Sequence, residues 1–338
     1  MKKLIAILTL FYSLTTLGQN GVQGAYFLLS NSNRTISLNT FENSEIVEHK
    51  TFDITEKSIF TTDKKSKVAI LDTAQNSIVL YDFLLSKETK LTIPYDLKPK
   101  TLLLLENNLF VGGQMGKEIL IQYQIRKNQW EKLEVPEEVK MWGKEVDDLV
   151  INDSLLIAID NLIMPKYVLF YNLKQQGKLE LSHFKDLKSN GAYESIHQGR
   201  ITKKYLGLIS NTYSGYVGST EHITIYSNLD LTSSFAISSN QQDKDYHTFN
   251  DFVIIGDRII IASKENGLGI LEMKASYFKE YDEYKNRDFN TRVSTSKIKY
   301  LDYKNEIVIK ITIIPNADFV VLTIQDNKGK IRNETKEI

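Results

Sequence analysis

The sequence predicts an all-β fold built from seven repeats. Short apolar runs recur behind turns at intervals of 41 to 54 residues, with a mean of about 47. They begin at Ala25, Val68, Leu109, Leu155, Tyr205, Ile259 and Ile307. Apolar and polar residues alternate along the runs and the segments that follow them, which is the period of a β-strand. Four strands of about six residues with connections of about five account for this interval, so each repeat is interpreted as one four-stranded unit.

The other elements of each unit support this interpretation. A second apolar strand follows each run, and four of these strands carry tyrosine at one position, namely Tyr81, Tyr123, Tyr171 and Tyr226. A third element closes most units, and a fourth precedes the run, as in SIFTTD from Ser58 and KIKYLD from Lys297. The best internal match, residues 152–158 against 256–262, predicts equivalent strands two units apart. A pair of β-sandwiches would also explain the strands, but not the recurring tyrosine.

The repeats resemble those of the β-propeller superfamily over Gly21 to Glu334, and among its members the divergent exported propellers of bacteria. The Trp-Asp dipeptide of WD40 blades and the glycine pairs of kelch blades are missing. The resemblance implies one propeller domain over residues 19–338, with seven blades of four antiparallel strands. The first unit has no obvious strand before its run, so we expect the two termini to cooperate in closing the ring. Propellers host many functions, so the fold selects none.

The N-terminus has the layout of a secretory signal peptide. Lys2 and Lys3 precede an uncharged run from Leu4 to Leu17, and Thr16 and Gly18 are small residues suited to cleavage before Gln19. Residues 1–18 are therefore predicted to be removed, with the mature protein periplasmic or secreted. The run of 14 residues is shorter than the roughly 20 that span a bilayer. A retained membrane anchor is the alternative. No cysteine is present to carry a lipid.

Composition excludes several classes of function. Lys plus Arg equals Asp plus Glu, at 42 each, so the chain has no net charge to attract nucleic acid. The lack of cysteine excludes thiolate nucleophiles, disulfides and cysteine-ligated metals. The five histidines show no metal-ligand spacing, so no metal or cofactor is predicted. GGQMGKE, residues 112–118, lacks the spacing of a phosphate loop and is interpreted as a hairpin connection. Oligomeric state is not predicted.

The candidate site follows from the propeller resemblance. In propellers, the connection into each blade and the loop between its second and third strands open on one face, around the channel. This rule predicts a ligand site at the channel mouth. The candidates are Asp148, Asp160, Asn161, His197, Tyr213, Tyr216 and Asp251. Asp148 and Asp251 are equivalent in the internal alignment, which favours a structural role in fixing turns. The exposed rings of Tyr213 and Tyr216 could stack on a sugar or pack on a protein.

Three functions are compatible with these residues. The leading hypothesis is a non-catalytic binding scaffold for a protein or glycan ligand in the cell envelope, because no catalytic motif is found. The second is a hydrolase or lyase that uses the channel carboxylates with a histidine or tyrosine. The third is a structural part of a larger envelope assembly.

Overall fold

The computed structural model describes residues 25–32, 34–114, 118–141, 145–160, 166–174, 178–187, 194–214, 218–227, 231–240, 248–280, 291–301, 303, 306–315 and 317–338. These residues form seven sheets, the blades, arranged in a ring, and the successive strands of each blade are antiparallel. Blade one contains β1 (Phe27–Ser32), β2 (Thr35–Glu42) and β3 (Glu45–Asp53). Blade two contains β4 (Ser58–Thr62), β5 (Lys67–Asp72), β6 (Ser77–Asp82) and β7 (Lys87–Thr92). Blade three contains β8 (Lys98–Leu105), β9 (Asn108–Gln114), β10 (Leu120–Gln124) and β11 (Gln129–Lys132).

The short helix α1 (Glu137–Met141) connects blade three to blade four. Blade four contains β12 (Asp148–Ile151), β13 (Leu155–Ile159), β14 (Lys166–Leu173) and β15 (Leu179–Leu187). Blade five contains β16 (Glu194–Ile201), β17 (Leu206–Ser214), β18 (Gly218–Tyr226) and β19 (Ser233–Asn240). Blade six begins with β20 (Phe249–Ile255), β21 (Arg258–Ser263) and β22 (Gly267–Glu272). The equivalence predicted for residues 152–158 and 256–262 is confirmed, because β13 and β21 are the second strands of blades four and six.

An insertion in blade six extends blade five. After a 3₁₀ turn at Ala275–Tyr277, β23 (Lys279–Glu280) and β24 (Thr291–Val293) both pair with β19. A second 3₁₀ turn, Thr295–Lys297, leads back to β25 (Lys299–Leu301), the fourth strand of blade six. Lys279–Glu280 therefore belongs to an insertion between the third and fourth strands of blade six and pairs with blade five, while residues 281–290 lie outside the described residues.

Blade seven contains β26 (Glu306–Ile313), β27 (Phe319–Asp326) and β28 (Ile331–Glu337). The expected strand order was wrong here. The segment from Lys297 was expected to be the first strand of this blade, but β25 pairs with β22 in blade six. The Ile307 run, expected as a second strand, is the first strand. Innermost and second strands are both covered on two faces, so they share one apolar pattern and cannot be told apart by it.

First strands of successive blades pack side by side around a central channel. β4 contacts β8, and the contacts continue through β12, β16, β20 and β26. These strands run parallel, since Asn152 Nδ2 donates to Thr202 O (3.1 Å) and Asn250 Nδ2 donates to Val308 O (2.9 Å) at matching positions of adjacent blades. All of them begin at the same end of the ring, which we call the top face. The hairpins between second and third strands reach this face too.

The two terminal blades have three strands each among the described residues. β1 begins at the bottom face, where Tyr26 N donates to Lys64 O in the β4–β5 hairpin (3.0 Å). It therefore runs against the first strands and takes the second position of its blade, as the alignment of the Ala25 run predicted. No described residue fills the innermost position of blade one. Blades one and seven are in contact where β1 packs on β28, and there Asn333 Nδ2 donates to Ser30 O (3.1 Å).

The core lies between blades. Apolar side chains of the first three strands form one cluster for each pair of neighbouring blades, such as Leu71, Leu80 and Leu102 between blades two and three. The recurring tyrosines take one register, each opposite the start of a second strand, and three of them are at most 8% exposed. Tyr171 Oη donates to Glu134 O of the preceding blade (2.8 Å). Among the described residues, no helix is long and apolar enough to cross a membrane.

Candidate functional site

The channel opens at the top face into a cavity of about 660 Å³. Side chains of β4, β8, β16, β20 and β26 line it, together with the start of β12. The polar and charged residues among them are Lys100, Thr101, Asp147, Asp148, His197, Gln198, Arg200, Glu221, Thr248, Asn250 and Lys310. The predicted site residues Asp148 and His197 thus line one cavity, and Asp251 lies directly beside Asn250. A cavity of this size falls within the roughly 300–1,000 Å³ of small-ligand sites.

Asp148 and Asp251 make the same hydrogen bonds in their respective blades. Asp148 accepts from the backbone N–H of Leu149 (2.9 Å) and of Gly199 in the next first strand (2.6 Å). Asp251 accepts from Phe252 N (2.8 Å) in its own strand and from Ile311 N of the next blade (2.9 Å). Gly199 and Ile311 each follow an irregularity in the strand register, where the regular ladder leaves an N–H unpaired. Each carboxylate therefore braces two neighbouring blades.

Two of the cationic side chains near the cavity, Arg200 and Lys100, are also paired. Arg200 Nη2 donates to Asp251 Oδ1 (2.8 Å), and its other nitrogens donate to the backbone oxygens of Phe252 and Gly199. Lys100 Nζ donates to Asp147 Oδ1 (2.7 Å) and also to Glu145. Through these contacts, the Arg200 and Lys100 cations are already paired with carboxylates of the protein. The carboxylates that could have formed a catalytic pair are engaged in structural contacts.

Burial shifts the ionisation of two of the predicted residues. Loss of hydration raises the pKa of Asp148 to about 6, against the effect of its bonds to Gly199 and Leu149. Partial loss of hydration beside the channel wall lowers the pKa of His197, so its imidazole is mainly neutral at pH 7. At neutral pH the cavity therefore presents a carboxyl group close to its pKa and a neutral imidazole.

We expect Asp148 to make stability depend on pH between about 4 and 7. Its pKa in the folded protein is about 6, while an unfolded aspartate has a pKa of about 3.9. The folded state therefore holds the proton more tightly, and this stabilisation, on the order of 3 kcal/mol, is present below pH 4 and lost as pH rises through 6. Asp148→Asn cannot ionise, so the stability of wild type relative to this variant should fall over that range.

Chemical denaturation of both proteins at several pH values measures this difference. Burial lowers the pKa of His222 to about 4, which gives a slope of opposite sign. His222 is present in both proteins and cancels in the difference. Parallel stability curves for the two proteins would contradict the raised pKa.

Three long polar side chains at the cavity have no hydrogen bond or ion pair within the described structure: His197, Gln198 and Lys310. His197 is exposed to the channel. Lys310 is on β26, and its Nζ lies 4.8 Å from the centre of the ring of Phe60, which is on β4. Burial lowers the pKa of Lys310. The groups free to meet a ligand are therefore one amine, one amide and one neutral imidazole, of which the amide and the imidazole can both donate and accept hydrogen bonds.

The remaining predicted residues lie around the cavity or outside the described structure. Tyr213 is at the end of β17 on the top face and is 63% exposed. Asp160 follows β13 and is buried, and its backbone N–H donates to Tyr167 O (2.9 Å). Tyr216 and Asn161 lie outside the described residues. In the part of the chain that the structure describes, no group of three or more acidic or histidine side chains could hold a metal ion.

Lys310 and Gln198 were missed by the sequence analysis. Lys310 is the one charged residue in the apolar run IVIKITI, residues 307–313, and that isolation was a usable signal. A lysine within a buried strand needs a polar environment for its amine, and here the channel provides that environment. Gln198 has no comparable signal, because it sits in a polar stretch beside His197. Arg200 was also missed, since its partner Asp251 is 51 residues away.

Comparison with solved structures matches this architecture. The chain aligns with Saccharomyces cerevisiae Sqt1, a β-propeller protein, with a TM-score of 0.54, 10% identity, and coverage of 93% of this chain and 81% of that one. The chain is a seven-bladed β-propeller. Kluyveromyces lactis Hsv2 gives a TM-score of 0.50 at 11% identity, covering 93% and 94% of the two chains. These propeller likenesses, at such low identity, concern the fold alone. No family model and no curated protein matches the chain.

Proposed function

We propose that this propeller is an exported, non-catalytic binding scaffold of the cell envelope, and that its ligand, a glycan or a protein segment, enters the channel at the top face. The observation that carries the proposal is how the channel side chains are used. Asp148 and Asp251 brace neighbouring blades, while His197, Gln198 and Lys310 keep free polar groups toward the cavity. A binding site needs such unpaired groups, because each one regains a hydrogen bond when the ligand arrives.

Export is the second part of the proposal. It rests on the uncharged run that follows Lys2 and Lys3. When the full chain is produced in a bacterial host, protein recovered from the periplasm or medium should have the intact mass of residues 19–338. Recovery of a chain that still contains Met1 to Gly18 would refute cleavage and favour the retained anchor.

A binding screen tests the scaffold. Purified protein of residues 19–338 is measured against immobilised oligosaccharides and against envelope proteins, next to the double variant His197→Ala/Tyr213→Ala. We expect a saturable ligand whose affinity falls at least tenfold in the double variant. Leu84→Ala, at a side chain 72% exposed in the β6–β7 hairpin of the bottom face, is the control and should bind as wild type does. Equal binding by all three proteins would place the ligand away from the channel.

A hydrolase or lyase is the second candidate, and one observation favours it. Asp148 has a pKa of about 6 beside a cavity, which suits a general acid near neutral pH. Turnover of a glycan found in the screen decides between the two. Turnover that Asp148→Asn abolishes while binding persists would establish the enzyme. Binding without product, in wild type and variant alike, supports the scaffold.

A further inference from the structure

We propose that the channel ligand is an anionic sugar, whose carboxylate or equivalent oxyanion accepts hydrogen bonds from Lys310, with His197 and Gln198 as further donors. This inference rests on the proposed function, since it names the ligand class of that same site.

Lys310 is the charged group around which the site is organised. It lines the cavity, and within the described structure no carboxylate oxygen lies within 4.0 Å of its Nζ. Its close contact is the face of Phe60, with Nζ 4.8 Å from the ring centre. Burial lowers the pKa of Lys310 because the charged ammonium loses hydration. An anion bound beside Nζ favours the protonated form, so the binding of an anion and the protonation of this lysine stabilise each other.

The neighbouring carboxylates do not form an ion pair with Lys310, although Asp251 partly offsets the effect of burial on its pKa. Asp251 already accepts two backbone N–H groups and the Arg200 guanidinium. Asp147 accepts from Lys100. Glu221 accepts from Asn211 Nδ2 at 2.6 Å. Each of these carboxylates thus already has a donor within the protein, so a ligand that brings its own acceptor suits Lys310 best.

The rest of the cavity suits a sugar rather than a bare ion. Its volume of about 660 Å³ is that of a site for a small organic ligand. Ile59 and Phe60, which are only partly buried, contribute apolar surface that can lie against the C–H face of a pyranose ring. Gln198 and His197 offer both donors and acceptors, which match hydroxyl groups. Charge, size and mixed lining together favour an acidic monosaccharide unit or a short oligomer of such units.

Isothermal titration calorimetry with digalacturonate tests this inference, with maltose as the neutral disaccharide at equal ionic strength. Wild type should bind digalacturonate saturably and maltose at least tenfold more weakly. Lys310→Met should lose at least tenfold in affinity for digalacturonate. Lys87→Met, at an exposed lysine of the outer strand β7, is the control and should bind as wild type does. Gln198→Leu is a second channel variant, expected to lose affinity as well, in case Lys310→Met does not fold.

Each other outcome is decisive. Equal affinity for the two sugars, or undiminished binding by Lys310→Met, overturns the anionic assignment. Binding of a hexaglutamate peptide but not of digalacturonate, with the same dependence on Lys310, overturns the sugar in favour of an acidic peptide. A neutral glycan that binds through His197 and Tyr213 would leave the scaffold standing while refuting this inference. Absence of any channel ligand in the wider screen would refute the scaffold itself.

Discussion

Asp251→Ala is expected to lower the free energy of unfolding by about 3 to 4 kcal/mol. The carboxylate is 2% exposed and accepts from Phe252 N, Ile311 N and Arg200 Nη2, all within 2.9 Å. Alanine leaves two buried backbone donors unsatisfied and removes the partner of a half-buried guanidinium. Urea denaturation of the two proteins measures the loss.

Asp153→Ala is the matched control for this change. Asp153 pairs with Lys203 at 2.8 Å, but both side chains are more than three-quarters exposed. An exposed pair contributes less than about 1 kcal/mol, so the variant should unfold almost as wild type does. Similar losses for the two variants would mean that Asp251 is not a brace between blades.

Phe252→Ala is expected to cost about 3 to 5 kcal/mol, because the ring is fully buried between blades five and six. Gly207 on β17 packs directly against it. A methyl group at Gly207 would lie 2.5 Å from Phe252 Cε2, so Gly207→Ala should cost about 1 to 3 kcal/mol by overpacking. Calorimetric unfolding measures both losses.

The double variant Gly207→Ala/Phe252→Ala tests whether the two single variants are destabilised through the same contact or through a general loss of packing. Phe252→Ala removes the ring atoms that the new methyl group would strike, although Ile225 Cδ1 stays close at 2.9 Å. The double variant should therefore lose at least about 1 kcal/mol less than the sum of the single variants. Strict additivity would show that Gly207 and Phe252 do not restrict each other.

The repeat pattern was sufficient to predict a ring of seven blades, but not the order of the strands in the last blade. The recurring tyrosines and the turn-bounded runs count blades correctly, because every blade buries the same strand positions. The pattern could not order strands in blade seven, since the runs at Ile259 and Ile307 are equally apolar although one is a second strand and the other a first strand. The pairing of β23 and β24 with β19 depends on contacts between distant segments, which no local pattern encodes.

The sequence likewise predicted part of the candidate site and not the rest. The alignment of Asp148 with Asp251 correctly indicated equivalent positions, and their shared hydrogen bonds explain the repetition physically. Their partners, Gly199 and Ile311, belong to the next blade and could not be read from spacing. Lys310 was not predicted, because the channel that its side chain lines is formed by several blades and is not visible in the strand itself.

The most direct test of this account is the affinity for digalacturonate of Asp148→Asn and Lys310→Met, measured side by side by calorimetry at pH 7. Because Asp148 braces the blades and Lys310 contacts the ligand, Asp148→Asn should bind within about twofold of wild type, while Lys310→Met should lose at least tenfold in affinity, about 1.4 kcal/mol. Loss of binding in Asp148→Asn with full affinity in Lys310→Met would contradict it.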